Sequence, residues 1–339
     1  MNLAAVSLAA VAASGPLGAG AFGRRLEIAD THAFIAAAEQ APRALADALN
    51  AGHGLLLLRG LAAIADDPGL LLRLSALFGP EVEDYRPARL ETKFIHPRVP
   101  QILVVTNRPP HDRRAPPQPD PPRRADGGLP VTFPHRTGWH TDQSFRRPPP
   151  DISLFHAVVA APAGQGQTLY ADGTAAWDAL PPALKARVEK LVGIHVIDNA
   201  GRSESAVRAG RSPRPLGPHE QPQRQPVARV HPETGRRALY LCDGDQMDWV
   251  SGPFEGMEPG PDGDGARLLR ELVAHYTQPA FVHVQEWRTG DLVVYDNRCV
   301  IHCATWFDAA AHDRVMWRTT VWGNPGKDYT GERRSWELV

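Results

Sequence analysis

Apolar residues recur at helical spacing from Thr31 to about Gly52, at Phe34, Ala37, Ala38, Leu45 and Leu49, which predicts a helix there. GLLLLRG at 54–60 is a short apolar run closed by glycines and predicts a buried strand. DPGLLLRLSALF, from Asp67 to Phe78, predicts a helix with Pro68 in its first turn. QILVVTN at 101–107 is β-branched and strand-like. After residue 150, DISLFHAVVA, QTLYA and GIHVID read as strands, and 175–191 as a helix interrupted at Pro181-Pro182. PVARVHPETGRRALYLCDG predicts two strands around a Pro-Glu-Thr-Gly turn. ARLLRELVAHYT at 266–277 predicts an amphipathic helix. FVHVQEWRTGDLVVYDN predicts a hairpin turning at Thr289-Gly290, and DRVMWRTTVWG a closing strand.

Two stretches break this rhythm. Residues 108–128 are rich in Pro, Arg and Asp, and 199–226 in Arg, Pro, Gly, Ser and Gln; both read as long polar loops placed as lids. No internal repeat is present. Many short strands with few helices predict a β-rich α+β fold, a sandwich or jelly roll with flanking helices. The reading is one domain over 1–339, with inserted loops near 108–128 and 199–226.

Composition adds mainly exclusions. With 42% apolar and 22% charged residues the chain is ordinary for a soluble globular protein. Lys plus Arg is 37 against 38 for Asp plus Glu, so no net basic field favours nucleic acid. Three cysteines (Cys242, Cys299, Cys303) make no disulfide framework for this length, and a cytoplasmic location is expected. The N-terminal MNLAAVSLAAVAASG is apolar but has no basic residue before Arg24, so it reads as mature sequence rather than a signal peptide. No run is long enough to span a membrane.

The candidate chemistry begins with GWHTDQSF at 138–145. In an extended segment, the i, i+2 spacing of His140 and Asp142 puts both side chains on one face. Alone, the pair reads as loop or capping chemistry; a metal needs a third ligand from elsewhere. Among the other histidines His302 stands out, because GDLVVYDNRCVIHCA delivers it after a tight turn, a buried strand and a polar elbow. Two imidazoles and one carboxylate form a set that leaves three positions open and suits non-haem Fe(II). Arg314 and Arg318 follow on one face of an otherwise apolar strand, an arrangement that calls for anions to meet.

These pieces together resemble the taurine dioxygenase-like family of Fe(II)/2-oxoglutarate-dependent dioxygenases, which also includes the 2,4-dichlorophenoxyacetate oxidisers. The matching segments, in order, are PLGAGAFG (16–23), FIHP (94–97), WHTDQSF (139–145), GQTLYAD (166–172), VHPETGRRALY (230–240), GDLVVYDNRCVIHCA (290–304) and RVMWRTTVWG (314–323). The resemblance implies a double-stranded β-helix, or jelly roll. It implies His140, Asp142 and His302 as iron ligands, with 2-oxoglutarate and O₂ as co-substrates. It further implies that Thr168 and Arg314 hold the far carboxylate of 2-oxoglutarate, and that Arg318 assists there or meets the substrate. His96 would contact an anionic substrate group. Where taurine oxidisers hold the substrate amine, this sequence has Val99 and Arg136. Taurine is therefore disfavoured, and a sulfonate or carboxylate is expected. Asp142 keeps the carboxylate that related halogenases lack, which favours hydroxylation with release of succinate and CO₂. A homo-oligomer is also implied.

Plainer readings stand beside these. Without the metal, the three ligands would be polar residues on barrel strands. Arg314 would be a surface ion pair and Thr168 an ordinary strand threonine. The run from Cys299 to Cys303 lacks the second cysteine pair of a zinc site. Trp139 and Phe145 read as packing residues, His231 as turn chemistry, and His195, His275 and His283 as structural. The functional alternatives are a jelly-roll metal or 2-oxo acid binding protein without turnover, and a metal-dependent hydrolase.

Overall fold

The computed structural model describes residues 12–322 apart from 19, 87–90, 117, 119–137, 198–199 and 244. Fifteen described strands build the fold: β1 (Ala12–Pro16), β2 (Arg24–Ile28), β3 (Leu55–Arg59), β4 (Glu81–Val82), β5 (Leu103–Thr106), β6 (Ile152–Val159), β7 (Thr168–Asp172), β8 (Val192–His195), β9 (Gln223–Pro226), β10 (Ala228–Val230), β11 (Arg237–Leu239), β12 (Val282–Gln285), β13 (Leu292–Asp296), β14 (Val300–Ala304) and β15 (Val315–Trp322). A major sheet runs β1-β2-β3-β13-β6-β15, with β4 and β5 both pairing along the far side of β15. A minor sheet runs β12-β7-β14, and β8-β9 and β10-β11 form two small ribbons. Major and minor sheets face each other as a jelly roll.

The LLLLR of β3 explains itself by this layering. Leu55 and Leu57 join Tyr170, Val293, Tyr295 and Met316 between the sheets. Leu56 and Leu58 pack outward against Phe34, Ile35, Leu45, Leu49 and Leu71 of covering helices. A strand buried on both faces loses its alternation and reads as a continuous apolar run. Each such leucine contributes about 1.5–3 kcal/mol by burial. The outer face of the minor sheet is covered in the same way, with Leu169, Ala171 and Ile301 under Leu268, Leu269 and Leu272 of the helix Asp264–Tyr276.

Four sequence expectations need correction. The helix expected over 31–52 is two, Thr31–Gln40 and Ala44–Ala51. Ala41 leaves the helical region (φ −129°, ψ 63°) because it precedes Pro42, whose ring crowds a helical predecessor. The helix expected over 67–78 is Gly69–Ser75. The polar stretch 199–226 is not all loop, since it holds the helix Glu204–Arg208 and strand β9. The hairpin expected over 281–297 does not form. β12 pairs with β7 in the minor sheet, while β13 pairs with β3 and β6 in the major one. The chain crosses between sheets at Glu286–Asp291, where Asp291 takes the Arg59 fork at 2.8 and 2.9 Å and the Gln285 amide at 3.2 Å. Most of the loop expected near 108–128 lies outside the described residues.

Candidate metal centre

His140 and His302 are brought together by the backbone. They form an antiparallel bridge, His140 N–H to His302 O at 3.0 Å and His302 N–H to His140 O at 2.8 Å. The segment Trp139–Thr141 thereby acts as a fourth lane beside β14, and the two rings lie 4.3 Å apart between centroids. Asp142, two residues on, presents Oδ1 at 3.9 Å from His140 Nε2 and 4.0 Å from His302 Nε2. One ligand atom from each of the three side chains lies within 4.8 Å of the others.

Protonation suits ligation. His140 Nδ1 lies 2.7 Å from Gly138 O, a pure acceptor, so Nδ1 carries the hydrogen and Nε2 keeps its lone pair. Burial pushes His302 down to about 3, with His140 beside it acting in the same direction, so this imidazole is neutral at pH 7. Burial alone would raise the Asp142 carboxyl, but Arg318, His302 and His140 outweigh it and hold it below its usual range. The residues present fit a borderline divalent ion such as Fe(II): two imidazole nitrogens and one carboxylate oxygen, three ligands of the six such an ion takes.

Away from this end, the inward face of the sandwich carries Thr168 and Tyr170 on β7, His302 pairing directly with Tyr170. The Tyr170 ring stacks on His302 at 5.9 Å between centroids and lies tilted against Tyr295 at 5.3 Å. Arg314 is buried at 7% exposure. Its Nε donates to Gly166 O at 3.2 Å, and its Nη2 has no hydrogen-bond partner among the described residues. Gly166 must be glycine here: φ is +64°, and a Cβ would meet Ala161 at 2.8 Å and the Arg314 side chain at 3.3 Å. Burial lowers Arg314 to about 10, so it stays charged at neutral pH. Thr168 Oγ1 accepts Trp287 Nε1–H at 3.0 Å, and its hydroxyl also acts on the neighbouring Tyr170 hydroxyl. An incompletely paired buried cation fits a carboxylate.

The other predicted residues fall out differently. Arg318 Nη1 donates to Asp142 Oδ1, placing the guanidinium at the rim of the ligand group. Despite burial it is held above its usual value, by Asp142 first and then by Tyr85 and Tyr295. His96 is not brought to this group. Its Nδ1 accepts the backbone N–H of Arg98 and Val99 at 3.3 and 3.2 Å, and its ring stands edge-on to Trp317 at 4.9 Å. Trp317 belongs to the helix-covered face of β15, and successive strand residues face opposite ways, so Trp317 looks away from Arg318. Arg136 lies outside the described residues. Sequence reasoning missed Ser153, Tyr295 and Asn297, which surround Asp142; the polar YDN at the end of the apolar LVV run was the available signal.

Comparisons with known proteins agree with this geometry. Over 196 residues the chain is 34% identical to a (S)-phenoxypropionate/alpha-ketoglutarate-dioxygenase of Sphingobium herbicidovorans, a match covering 56% of this chain and 64% of that protein. It is 36% identical over 183 residues to an alpha-ketoglutarate-dependent 2,4-dichlorophenoxyacetate dioxygenase of Cupriavidus pinatubonensis, covering 54% and 59%. The matched stretches thus span less than two thirds of these relatives' length. Among solved structures, AAD-2 in complex with Mn(II) and N-oxalylglycine superposes with a TM-score of 0.65 at 26% identity, covering 92% of this chain and 97% of that one. A family model described as taurine catabolism dioxygenase TauD, TfdA family matches residues 14–320. With nearly the whole sandwich inside that match, the chain belongs to the TauD, TfdA family.

Proposed function

We propose that the chain is an Fe(II)- and 2-oxoglutarate-dependent dioxygenase that hydroxylates a C–H bond of a small anionic organic molecule. The observation that carries this reading is the His140–His302 bridge, which gathers two imidazole nitrogens and Asp142 Oδ1 within 4.8 Å. His140, Asp142 and His302 would hold the ion. Ferrous iron there supplies the oxidative decarboxylation of 2-oxoglutarate by O₂ and the oxygen insertion, releasing succinate and CO₂.

The chain's own residues supply position and charge. Arg314 and Thr168 hold the far carboxylate of 2-oxoglutarate, the guanidinium by charge and the hydroxyl by a single hydrogen bond. Arg318 lies on β15 and Arg314 immediately before it, so the two cations that would meet two anions come from one stretch of chain. Arg318, at the metal rim, meets the anionic group of the primary substrate. Asp142 and His302 are buried, while His140 keeps 30% of its side chain exposed. Relatives named for phenoxypropionate and 2,4-dichlorophenoxyacetate support a carboxylate substrate. AAD-2, bound to Mn(II) and N-oxalylglycine, supports the metal and 2-oxo acid pairing. Free, buried Cys242, Cys299 and Cys303 are in keeping with a reducing cytoplasm.

The test is succinate release from 2-oxoglutarate over a panel of aryloxyalkanoates, sulfonates and alkyl sulfates. It should require Fe(II) and O₂ and vanish in His140→Ala. Turnover with Zn²⁺ in the absence of O₂ would overturn the reading in favour of a hydrolase.

A further inference from the structure

Asn297 stands in the turn between β13 and β14 and is fully buried. Its backbone N–H donates to Asp151 O at 2.8 Å, and its carbonyl accepts Thr141 Oγ1–H at 2.7 Å. Both ends of its side-chain amide are also used. Oδ1 accepts the Asp142 backbone N–H at 3.1 Å, and Nδ2 donates to Ser153 Oγ at 3.0 Å. The amide orientation is fixed because a backbone N–H can only donate, so the end facing it is the carbonyl. Ser153 Oγ, accepting from Nδ2, turns its own hydrogen to Asp142 Oδ2 at 2.7 Å. Tyr295 OH donates to the same oxygen, also at 2.7 Å. Two hydroxyl donors fill Oδ2, while Oδ1, which accepts one N–H from Arg318, faces the two imidazoles.

We infer that Asn297 is a positioning residue that, through Ser153 and together with Tyr295, confines Asp142 to ligation by one oxygen. The inference rests on the proposed function and sharpens it. Three protein atoms on a six-coordinate ion leave three positions, two for a chelating 2-oxo acid and one for O₂. A carboxylate free to rotate can bind through both oxygens and close one of them. Asn297 holds the Asp142 backbone with one end of its amide and the Asp142 carboxylate, through Ser153, with the other, so neither can turn independently.

The experiment counts water on the metal. The parent protein is loaded with Mn(II), and water-proton relaxation reports the number of metal-bound waters, three in the absence of 2-oxoglutarate. The double variant Ser153→Ala/Tyr295→Phe removes only the two hydroxyls on Oδ2 and should lower the relaxation enhancement by about one third, one water of three. Asn297→Ala should do the same and weaken Mn(II) binding about 10–100-fold, the usual cost of losing an outer partner. If Asn297→Ala does not fold, Asn297→Asp serves: it keeps an acceptor for the Asp142 N–H but cannot donate to Ser153. Three waters retained in the double variant overturn the inference. Loss of a water in the double variant but not on changing Asn297 removes Asn297 from the mechanism. A parent that binds neither Mn(II) nor 2-oxoglutarate sinks the functional reading and this inference with it. A parent that binds both while every variant keeps three waters sinks the inference alone.

Discussion

Two groups of side chains among the described residues could each offer three metal-ligating atoms: His140, Asp142 and His302, and His231, Asp296 and Cys299. They differ in what is left over. Both oxygens of Asp296 are taken: Arg298 forks onto them at 2.8 and 2.6 Å, and His231 Nε2 donates to Oδ2 at 2.9 Å. His231 Nδ1 accepts the backbone N–H of Glu233 and Thr234, and the Cys299 thiol donates to His53 O at 3.7 Å. Burial pushes that thiol well above its usual value, so it is no thiolate ligand. At the other group one carboxylate oxygen is saturated, while Oδ1 carries a single guanidinium N–H and both imidazoles turn Nε2 inward. Residue type alone does not separate a metal centre from a structural knot; unspent lone pairs do.

Removing one histidine from each group puts the most weight on this contrast. His302→Ala should weaken Fe(II) or Mn(II) binding by more than the ~100-fold that loss of an outer partner costs, with a cooperative unfolding transition retained. His231→Ala should leave metal affinity within about twofold and cost roughly 1.5–3 kcal/mol of stability, the range for a hydrogen bond to a buried charge. Metal titration and urea denaturation on both variants measure this directly. If His231→Ala lost metal as His302→Ala does, the contrast between spent and unspent lone pairs would fail.

Acid titration sharpens it further through buried imidazoles that have no carboxylate partner. Burial drives His156 to about 4, the Asp291 backbone opposing, and His195 to about 3, with Arg229 adding to the burial. Both folded values lie below the unfolded one near 6.5, so the unfolded chain binds more protons in acid. Stability from neutral burial is therefore full above pH 6.5 and falls as pH drops from about 6.5 towards 4. His156 alone accounts for roughly 3 kcal/mol over that window. His156→Leu should flatten the stability–pH slope by about one proton between pH 4 and 6.5, measured by urea unfolding at successive pH values. An unchanged slope would mean that His156 is already charged in the fold.

What the sequence made legible follows the same division. Local patterns were readable: the apolar run of β3, the WHTD spacing, the helix read over 266–277 and found at Asp264–Tyr276, and the break at Pro181-Pro182. Long-range pairings were not. A Thr-Gly between two strand patterns looks like a hairpin, yet β12 and β13 belong to opposite sheets, because short sequence separation says nothing about which sheet a strand joins. His96 was read from its motif as a substrate contact; its ring packs edge-on against Trp317 on the helix-covered face of β15, a placement the motif did not show. Asn297, Ser153 and Tyr295 carry no metal-ligand signature, since their role depends on where Asp142 Oδ2 falls in space.

Arg314 is the unspent cation that matches the unspent lone pairs. Its buried guanidinium has no hydrogen-bond partner at Nη2 among the described residues, which is the feature the proposed 2-oxoglutarate carboxylate would complete. Arg314→Ala should raise the half-saturating 2-oxoglutarate concentration about 10²-fold, consistent with the 2–5 kcal/mol lost on truncating one side of a buried charged pair. Arg314→Lys should recover only part of this, because an ammonium cannot present two parallel donors. Steady-state kinetics at saturating primary substrate, together with direct 2-oxoglutarate binding, read the effect. Full rescue by lysine would reduce the site to a point charge.

Thr168 gives the smallest expected effect. Its hydroxyl accepts Trp287 Nε1–H and lies beside the Tyr170 hydroxyl. Thr168→Val keeps the shape and removes the hydroxyl. It should weaken 2-oxoglutarate binding by about 5–10-fold, one hydrogen bond of roughly 1–1.5 kcal/mol, and leave the buried Trp287 N–H orphaned at a stability cost of about 1–3 kcal/mol. Thr168→Ser keeps the hydroxyl and should restore both quantities. The two readouts separate two roles for one oxygen. A Val variant that loses stability but keeps its 2-oxoglutarate affinity would make Thr168 a partner of Trp287 alone, no more open than His231, and would leave the far carboxylate to Arg314.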